Sequence, residues 1–467
     1  MSIATTALDQ LMALDGRAVP DFVEIEEGAP ALATRLPADE AAAAAQAATG
    51  VAAADLWRLR GGDEQTVRVA TREAAAGLVG FALQRFEDPD RAPLMERIGG
   101  GNLPLSSPLG FFPTRDGRHV FLHPSFPDSA RKLLALLGVD DNREAVAKAA
   151  AGWGAQALED AIAEAGVCGA MARSPEEWDA SEQGRALAAL PLVEVVKVAD
   201  GPPVPFAADG DAPLSGVRVL DLTRVLAGPT CGRTLAQYGA EVLAVAGPEL
   251  PSVPMFVADT GHGKRSAFLD LKTDAGRETL KTLVRGADVF SQGYRAGALE
   301  RLGFGEADLA ALNPGLISVS INCYGHEGPW RERPGWEQLA QTVTGMAQVH
   351  GGAATPELQP GAVTDYTTGF LAAYGAMIAL RRRAVEGGSW RVRVSLSQTG
   401  VWVRGLGLRE TPSRSMSSEE IIGYCERNDS GYGFVTHLRP AVRMSATQPR
   451  WDEPTRPLGV DPPTWKT

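Results

Sequence analysis

The clearest periodicity in the chain lies between Gly361 and Gly388. After the loop Gly361-Ala362-Val363, the apolar residues Phe370, Tyr374, Met377 and Ile378 recur at helical spacing. That pattern predicts a helix with one buried stripe. Arg381, Arg382 and Arg383 suit its negative C-terminal end, and Gly387-Gly388 stop it. Asp365 stands at its head, where free backbone N–H groups and the positive end of the dipole favour a carboxylate. A plain N-cap is therefore one reading of this aspartate.

From Leu214 onward, short apolar runs alternate with helical ones. Strands are predicted at 217–222, 241–246, 267–271, 288–291 and 316–321, with helices between them. This is the pattern of an α/β fold, a parallel sheet with helices on both faces. Ligands of such sheets bind beyond the carboxyl ends of the strands, which places residues 224–228, 292–295 and 322–327 around a pocket.

The upstream half is less regular. Residues 1–50 are Ala-rich and acidic, and the run Ala41-Ala42-Ala43-Ala44-Ala45 reads as helix packed loosely on something else. Residues 51–110 read as a helix with Leu56, Trp57 and Leu59, then Gly61-Gly62, a strand Val67-Arg68-Val69, and a second helix. The order helix, paired glycines, strand and apolar segment returns after Leu380 with Val392-Arg393-Val394, a weak internal repeat. Gly99-Gly100-Gly101 opens a loop with permissive backbone positions. A hairpin around Asp116-Gly117, two helices and a strand near 192–198 make 111–205 a small α+β domain. A proline-rich linker through Pro202, Pro203, Pro205 and Pro213 leads to the large domain, 214–405. The stretch 406–467, rich in Pro, Ser, Arg and Trp from Met416 on, is expected as an extended tail.

Composition narrows the function classes. The 467 residues, 44% hydrophobic and 22% charged, fit an ordinary globular protein with more than one domain. A net charge of −12 argues against a general nucleic-acid surface. No secretory signal and no membrane-length apolar run is visible, so no membrane partner is expected. Cys168, Cys231, Cys323 and Cys425 are scattered, which speaks against disulfides or a metal site and for a reducing, cytoplasmic setting. No HExxH, GxSxG, Walker A or GxGxxG motif falls at a strand–helix junction.

Several stretches, taken together, carry a family resemblance. Val219-Leu220-Asp221-Leu222-Thr223-Arg224-Val225-Leu226-Ala227-Gly228-Pro229 resembles the opening strand and loop of the family III coenzyme A transferases, the CaiB/BaiF type. Carnitine CoA-transferases and α-methylacyl-CoA racemases are relatives in that group. Lys264-Arg265-Ser266, Ala287-Asp288-Val289, Leu302-Gly303, Asn313-Pro314, Gly335-Trp336-Glu337-Gln338 and Thr364-Asp365 follow in the family's order. The upstream half is similar to the small domain that normally follows the catalytic half, so the halves stand in exchanged order. The chain is then either a permuted copy or the remnant of two fused copies.

The resemblance implies a Rossmann-like large domain with a smaller α+β domain, an interlocked homodimer, and CoA exchange between an acyl-CoA and a small carboxylic acid. It implies coenzyme A as substrate and no metal. Asp365 matches the family's nucleophile, and Glu337 either assists it or is a buried structural carboxylate; an ionised carboxylate in a water-excluding pocket is what such chemistry needs. Arg224, Leu226, Ala227, Lys264, Arg265, Tyr294 and Arg295 are the candidates for holding CoA, and Gly99, Gly100 and Gly101 for the loop shielding the intermediate. Each cation has a solvated-surface alternative. Cys231 reads as a packed hydrophobe, and His326 as either a carboxylate-polarising group or a solvated loop residue.

Two departures matter. Ala246-Gly247-Pro248-Glu249 and Gln292-Gly293-Tyr294 replace polar family positions that face CoA. Trp336 stands where the racemase branch has a histidine base, and tryptophan does not titrate. An acyl-CoA racemase or isomerase, and an inactive CoA-binding homologue, are the alternatives.

Overall fold

The computed structural model describes residues 1–88, 108–409 and 416–466. The chain opens with helix α1 (Ile3–Ala13), strand β1 (Val23–Glu26), helix α2 (Ala38–Leu59), strand β2 (Val67–Ala70) and helix α3 (Thr71–Ala76). A 3-10 turn (Gly77–Ala82) and strand β3 (Arg85–Phe86) follow. β1 and β2 run parallel, joined through α2.

The alanine run is not loosely packed. Ala41, Ala42, Ala43, Ala44 and Ala45 are all fully buried in the main core. Side chains this small let helix backbones approach closely, so a sequence with little apolar bulk still makes a dense core.

The small domain holds strands β4 (Gly110–Pro113) and β5 (His119–Leu122), helices α4 (Pro127–Leu137), α5 (Arg143–Ala150) and α6 (Ala155–Glu164), and strand β6 (Gly169–Met171). β5 pairs antiparallel with both β4 and β6. Phe112, Val120, Leu122, Leu133, Val146, Leu158 and Ile162 fill a core of its own. Two short helices, α7 (Pro175–Ala180) and α8 (Glu182–Ala188), lead to strand β7 (Glu194–Ala199).

The large unit comprises β8 (Arg218–Leu222), α9 (Ala227–Gln237), β9 (Glu241–Ala246), α10 (Pro254–Thr260), β10 (Lys264–Phe268), α11 (Asp274–Arg285), β11 (Val289–Gln292), α12 (Glu306–Leu312) and β12 (Ile317–Asn322). Then come α13 (Glu337–Val343), α14 (Met346–Gly351), α15 (Val363–Glu386), β13 (Ser389–Ser395) and α16 (Leu396–Gly405). The sheet order is β10-β9-β8-β11-β12-β13-β7, parallel except for β7. Numbered from β8, its six parallel strands follow the dinucleotide-fold order, with the crossover reversing between β8 and β11. The α/β, Rossmann-like expectation holds.

Three local expectations change. β10 begins at Lys264, not Ala267, because the paired edge extends through Lys264 and Arg265. The helix expected to have one buried stripe, α15, is buried on all sides from Val363 to Leu380, enclosed by α2, α9 and the sheet. The stretch after Met416 is not simply extended. It forms α17 (Ser418–Ile422), the hairpin β14 (Cys425–Ser430) and β15 (Gly433–Leu438), and β16 (Val442–Met444). The hairpin's alternation is hidden in sequence because most of β14 faces solvent. Beyond it, Asp461 N–H donates to the Ser266 carbonyl, so the terminal segment covers the outer edge of β10. Among the described residues no helix is long and apolar enough to cross a membrane.

Candidate active site

The head of α15 is the most unusual polar arrangement in the molecule. Its N-cap is Ala362, so Asp365 is the third helical residue and not the cap. The capping role belongs to Glu337, the first residue of α13. Its carboxylate accepts the Thr364 N–H at 3.0 Å, the Asp365 N–H at 2.5 Å and the Thr364 hydroxyl. The Gln341 amide donates at 2.5 Å as well. A helix N-terminus leaves N–H groups without intrahelical partners, and here a buried glutamate from another helix supplies them.

Asp365 is thereby left over. Both carboxylates are buried, yet among the described residues no group donates to the Asp365 carboxylate. Burial, reinforced by the Glu337 charge, pushes Asp365 well above the ordinary carboxylate value. Burial raises Glu337 too, opposed by the hydrogen bonds from Thr364, Gln341 and Asp365. The better-solvated charge of the pair is therefore Glu337, and Asp365 is a basic, unengaged carboxylate.

Three neighbours fix the helix head. The Ala362 N–H donates to the Leu78 carbonyl at 2.9 Å, tying it to the 3-10 turn of the N-terminal half. The Tyr366 hydroxyl donates to Asp259 at 2.7 Å and accepts the Phe81 N–H at 2.9 Å. Asp259 in turn meets Arg233 at 2.8 Å. One turn further on, Gly369 lies so close to α9 that a Cβ there would meet the Ala227 carbonyl at 2.5 Å.

That contact brings in the loop after β8. Leu226 and Ala227, both buried, begin α9. Val225 holds φ at 72°, a conformation a β-branched residue adopts only when its surroundings impose it. Beside it Arg224 donates to the Pro251 carbonyl and lies 5.4 Å from the Phe126 ring centroid. A cavity at the ends of β8 and β9 is lined by Phe126, Thr223, Arg224, Leu250, Pro251 and Lys264. It borders the crossover point where this sheet order opens a crevice.

The remaining candidates are distributed more widely. Lys264 is buried, with its ammonium 2.8 Å from Asp221 and 2.6 Å from the Pro229 carbonyl. Arg265 donates to the Thr464 carbonyl at 2.7 Å and lies beside Glu241 and Asp461. Both therefore already have protein partners. Tyr294 is close enough to Arg224 to feel its charge and lines the neighbouring cavity with Leu222, Val245 and Leu250. Arg295 is exposed and donates to the Gly166 carbonyl at 3.1 Å. Gly99, Gly100 and Gly101 lie outside the described residues. Cys231 is fully buried and its thiol is pushed up by burial. His326 is half-buried; it contacts Asn322 and the Val394 carbonyl, and burial lowers it to about 4.

The small domain contributes residues that sequence reading missed. Phe126, at the N-cap of α4, packs on Trp336 with centroids 5.4 Å apart. His123 bonds Gln338 at 2.9 Å and Ser125 at 2.8 Å, and burial lowers it to about 4. Phe126-Pro127 marks a helix start, but nothing local says which surface it meets.

An acyl-CoA transferase of Gibberella moniliformis is 36% identical over 294 residues, covering 57% of this chain and 51% of that protein. A succinyl-CoA–L-malate CoA-transferase beta subunit of Chloroflexus aurantiacus is 35% identical over 189 residues, covering 38% and 47%. A formyl-CoA:oxalate CoA-transferase of Rhodopseudomonas palustris is 36% identical over 201 residues, covering 40% and 47%. The chain spans about half the length of these curated relatives. Among solved structures, a CAIB/BAIF family protein from Brucella suis aligns at 28% identity over 48% of this chain and 65% of that one, with a TM-score of 0.38. The model of CoA-transferase family III matches residues 7–207 and 214–447, nearly the whole sequence, and the chain belongs to that family.

Proposed function

We propose that the protein moves coenzyme A between an acyl-CoA thioester and a free carboxylic acid, with Asp365 as the covalent nucleophile. The supporting observation is the buried Asp365 carboxylate that no described group engages, held on a helix head whose N–H groups Glu337 occupies. The Asp365 carboxylate attacks the thioester carbonyl, giving a mixed anhydride and the CoA thiolate. The thiolate attacks the aspartyl carbonyl of that anhydride, releasing the first acid and leaving an aspartyl-CoA thioester. The second acid's carboxylate attacks this thioester, and CoA returns to the new acyl group while Asp365 regains its carboxylate. Covalent catalysis of this kind splits one exchange into steps that each break one activated bond.

Arg224 and Tyr294 border the crevice that takes CoA, with Leu226 and Ala227 carrying the loop toward Asp365. Glu337 positions the nucleophile. Trp336 packs against Phe126 and does not titrate, and His123 has both ring nitrogens engaged, so neither supports a reading as the second base of α-proton transfer. Incubation with acyl-CoA followed by borohydride or hydroxylamine and peptide mass spectrometry tests the reading. Modification of Asp365, with loss of exchange in Asp365→Ala, is expected. An unmodified Asp365 during measurable exchange, or an active Asp365→Ala protein, refutes it.

A further inference from the structure

The two halves of the chain contain the same structural unit. β1, α2, β2 and α3 reproduce β12, α15, β13 and α16: two parallel strands joined through a long helix, then a helix directly after the second strand. From the long helix onward the register is residue for residue. The starts of α2 and α3, Ala38 and Thr71, correspond to the starts of α15 and α16, Val363 and Leu396, with identical spacing. Gly50 and Gly375 hold the same place in their helices. A Cβ at Gly50 would meet Val67 at 2.5 Å and Val442 at 3.0 Å, and one at Gly375 would meet the counterpart Val392 at 2.6 Å and Val193 at 2.7 Å. Thr34 and Gln359, also counterparts, bond to each other, as residues beside a local twofold axis do.

The units are interlocked. Each sheet gains an antiparallel strand, β7 beside β13 and β16 beside β2. β7 belongs to the chain that follows the first unit, and β16 to the chain that follows the second. Each unit thus finishes the other's sheet.

The register carries Asp365 onto Glu40 and Thr364 onto Asp39, but the surroundings have diverged. Among the described residues no strands equivalent to β8–β11 flank β1, whose sheet there holds three strands. The connection from β1 to α2 also lacks α13, and with it any counterpart of Glu337. In its place Arg409 meets Asp39 at 3.1 Å and Glu40 at 2.6 Å. The Ala31 N–H donates to Asp39 at 2.6 Å. Carboxylate oxygens engaged by a guanidinium and a backbone N–H have their lone pairs occupied and make poor nucleophiles, the opposite of Asp365. The losses are complementary. The first unit keeps a full small domain but lacks the crevice, and the second keeps the crevice while α17, β14 and β15 stand where the other unit has that domain.

We propose that the chain is an internally duplicated transferase with one working site, assembled from both units, and that the head of α2 is the retired counterpart of the active carboxylate. This rests on the Asp365 reading above. The N-terminal unit supplies the cover, through Phe126, His123 and the turn carrying Leu78, and the C-terminal unit supplies the nucleophile. The test counts acyl-CoA-dependent, borohydride-reducible carboxylates per chain by intact mass and peptide mapping. At most one is expected, at Asp365, with none at Asp39 or Glu40. The Glu40→Gln protein, and the Glu40→Gln/Arg409→Gln protein that leaves no guanidinium unpaired, are expected to keep wild-type turnover. Modification at Glu40, two modifications per chain, or loss of turnover in both folded variants overturns the inference and leaves Asp365 standing. Exchange without modification at any of the three carboxylates overturns the Asp365 reading, and this inference with it.

Discussion

Replacing Gly369 with alanine separates the packing argument from the chemical one. The new Cβ would lie 2.5 Å from the Ala227 carbonyl oxygen, 2.5 Å from Thr230 Cβ and 2.8 Å from its methyl group. Comfortable contacts of this kind need about 3.5 Å, so α9 and α15 must separate by roughly 1 Å. Alanine favours the helix by about 1 kcal/mol over glycine. Overpacking a tight contact costs about 1–3 kcal/mol, and here one opposing atom is backbone, which cannot rotate away. A net destabilisation of about 1 kcal/mol is expected. The larger effect falls on activity, because the shift moves Leu226 and Ala227 relative to Asp365, and about 1 Å of misplacement costs up to about 100-fold. The assay is steady-state CoA exchange beside a thermal melt. Gly375→Ala is the control: its Cβ meets only the side chains of Val392 and Val193, further along α15, so stability falls and turnover stays near wild type. Wild-type kcat/KM in a folded Gly369→Ala protein would refute the claim that the α9–α15 contact sets the site.

Three further outcomes follow from the same geometry. Glu337→Gln removes the charge that, after burial, raises Asp365, so the acid limb of the kcat/KM profile should move to lower pH while kcat falls. An unmoved limb would detach the two carboxylates. Arg224→Ala should raise the KM for CoA about 10- to 100-fold, the scale of one charge-assisted contact, with a smaller change in kcat. His123 and His326 both sit at about 4, below the ordinary 6.5, because burial disfavours their charged forms. The unfolded chain then binds protons the folded one does not, so stability complete above pH 6.5 is lost as pH falls toward 4. Melts should show Tm dropping across that window, and replacing His326 with glutamine should flatten the slope.

What could be read from the sequence was local. The loop after β8, the Trp336-Glu337 step and the start of α15 are each a run of neighbouring residues, and each stands where its pattern placed it. Contacts across the chain were hidden. Glu337 reads as a partner of Asp365 or a buried structural acid, and that it caps the helix is seen only once α13 abuts the head of α15. Lys264 and Arg265 read as loop cations because the apolar run begins at Ala267, whereas pairing with β9 starts at Lys264. The duplicated unit showed only as a faint repeat from paired glycines and a Val-Arg-Val strand. Its helices share few side chains: Ala43, Ala44 and Ala45 of α2 stand where α15 has Thr368, Gly369 and Phe370, and the identical positions are the small residues Ala47, Ala48, Gly50 and Ala54, with Arg58.

The division of labour at the head of α15 follows from one fact of helix geometry. The N–H groups of the first turn can stabilise one buried carboxylate well, and here they are given to Glu337 from outside the helix and not to Asp365 from within it. Had Asp365 capped its own helix, those bonds would have lowered its basicity and tied down the lone pairs that must attack. With Glu337 in that place, the same helix field keeps a second charge close enough to make Asp365 more basic, and a more basic carboxylate is a stronger nucleophile once ionised. The counterpart helix shows the alternative. At α2 the acids meet a guanidinium, which occupies their oxygens and closes the position. One scaffold thus holds an unengaged carboxylate and a guanidinium-paired one, and the difference lies in which neighbour reaches the helix head.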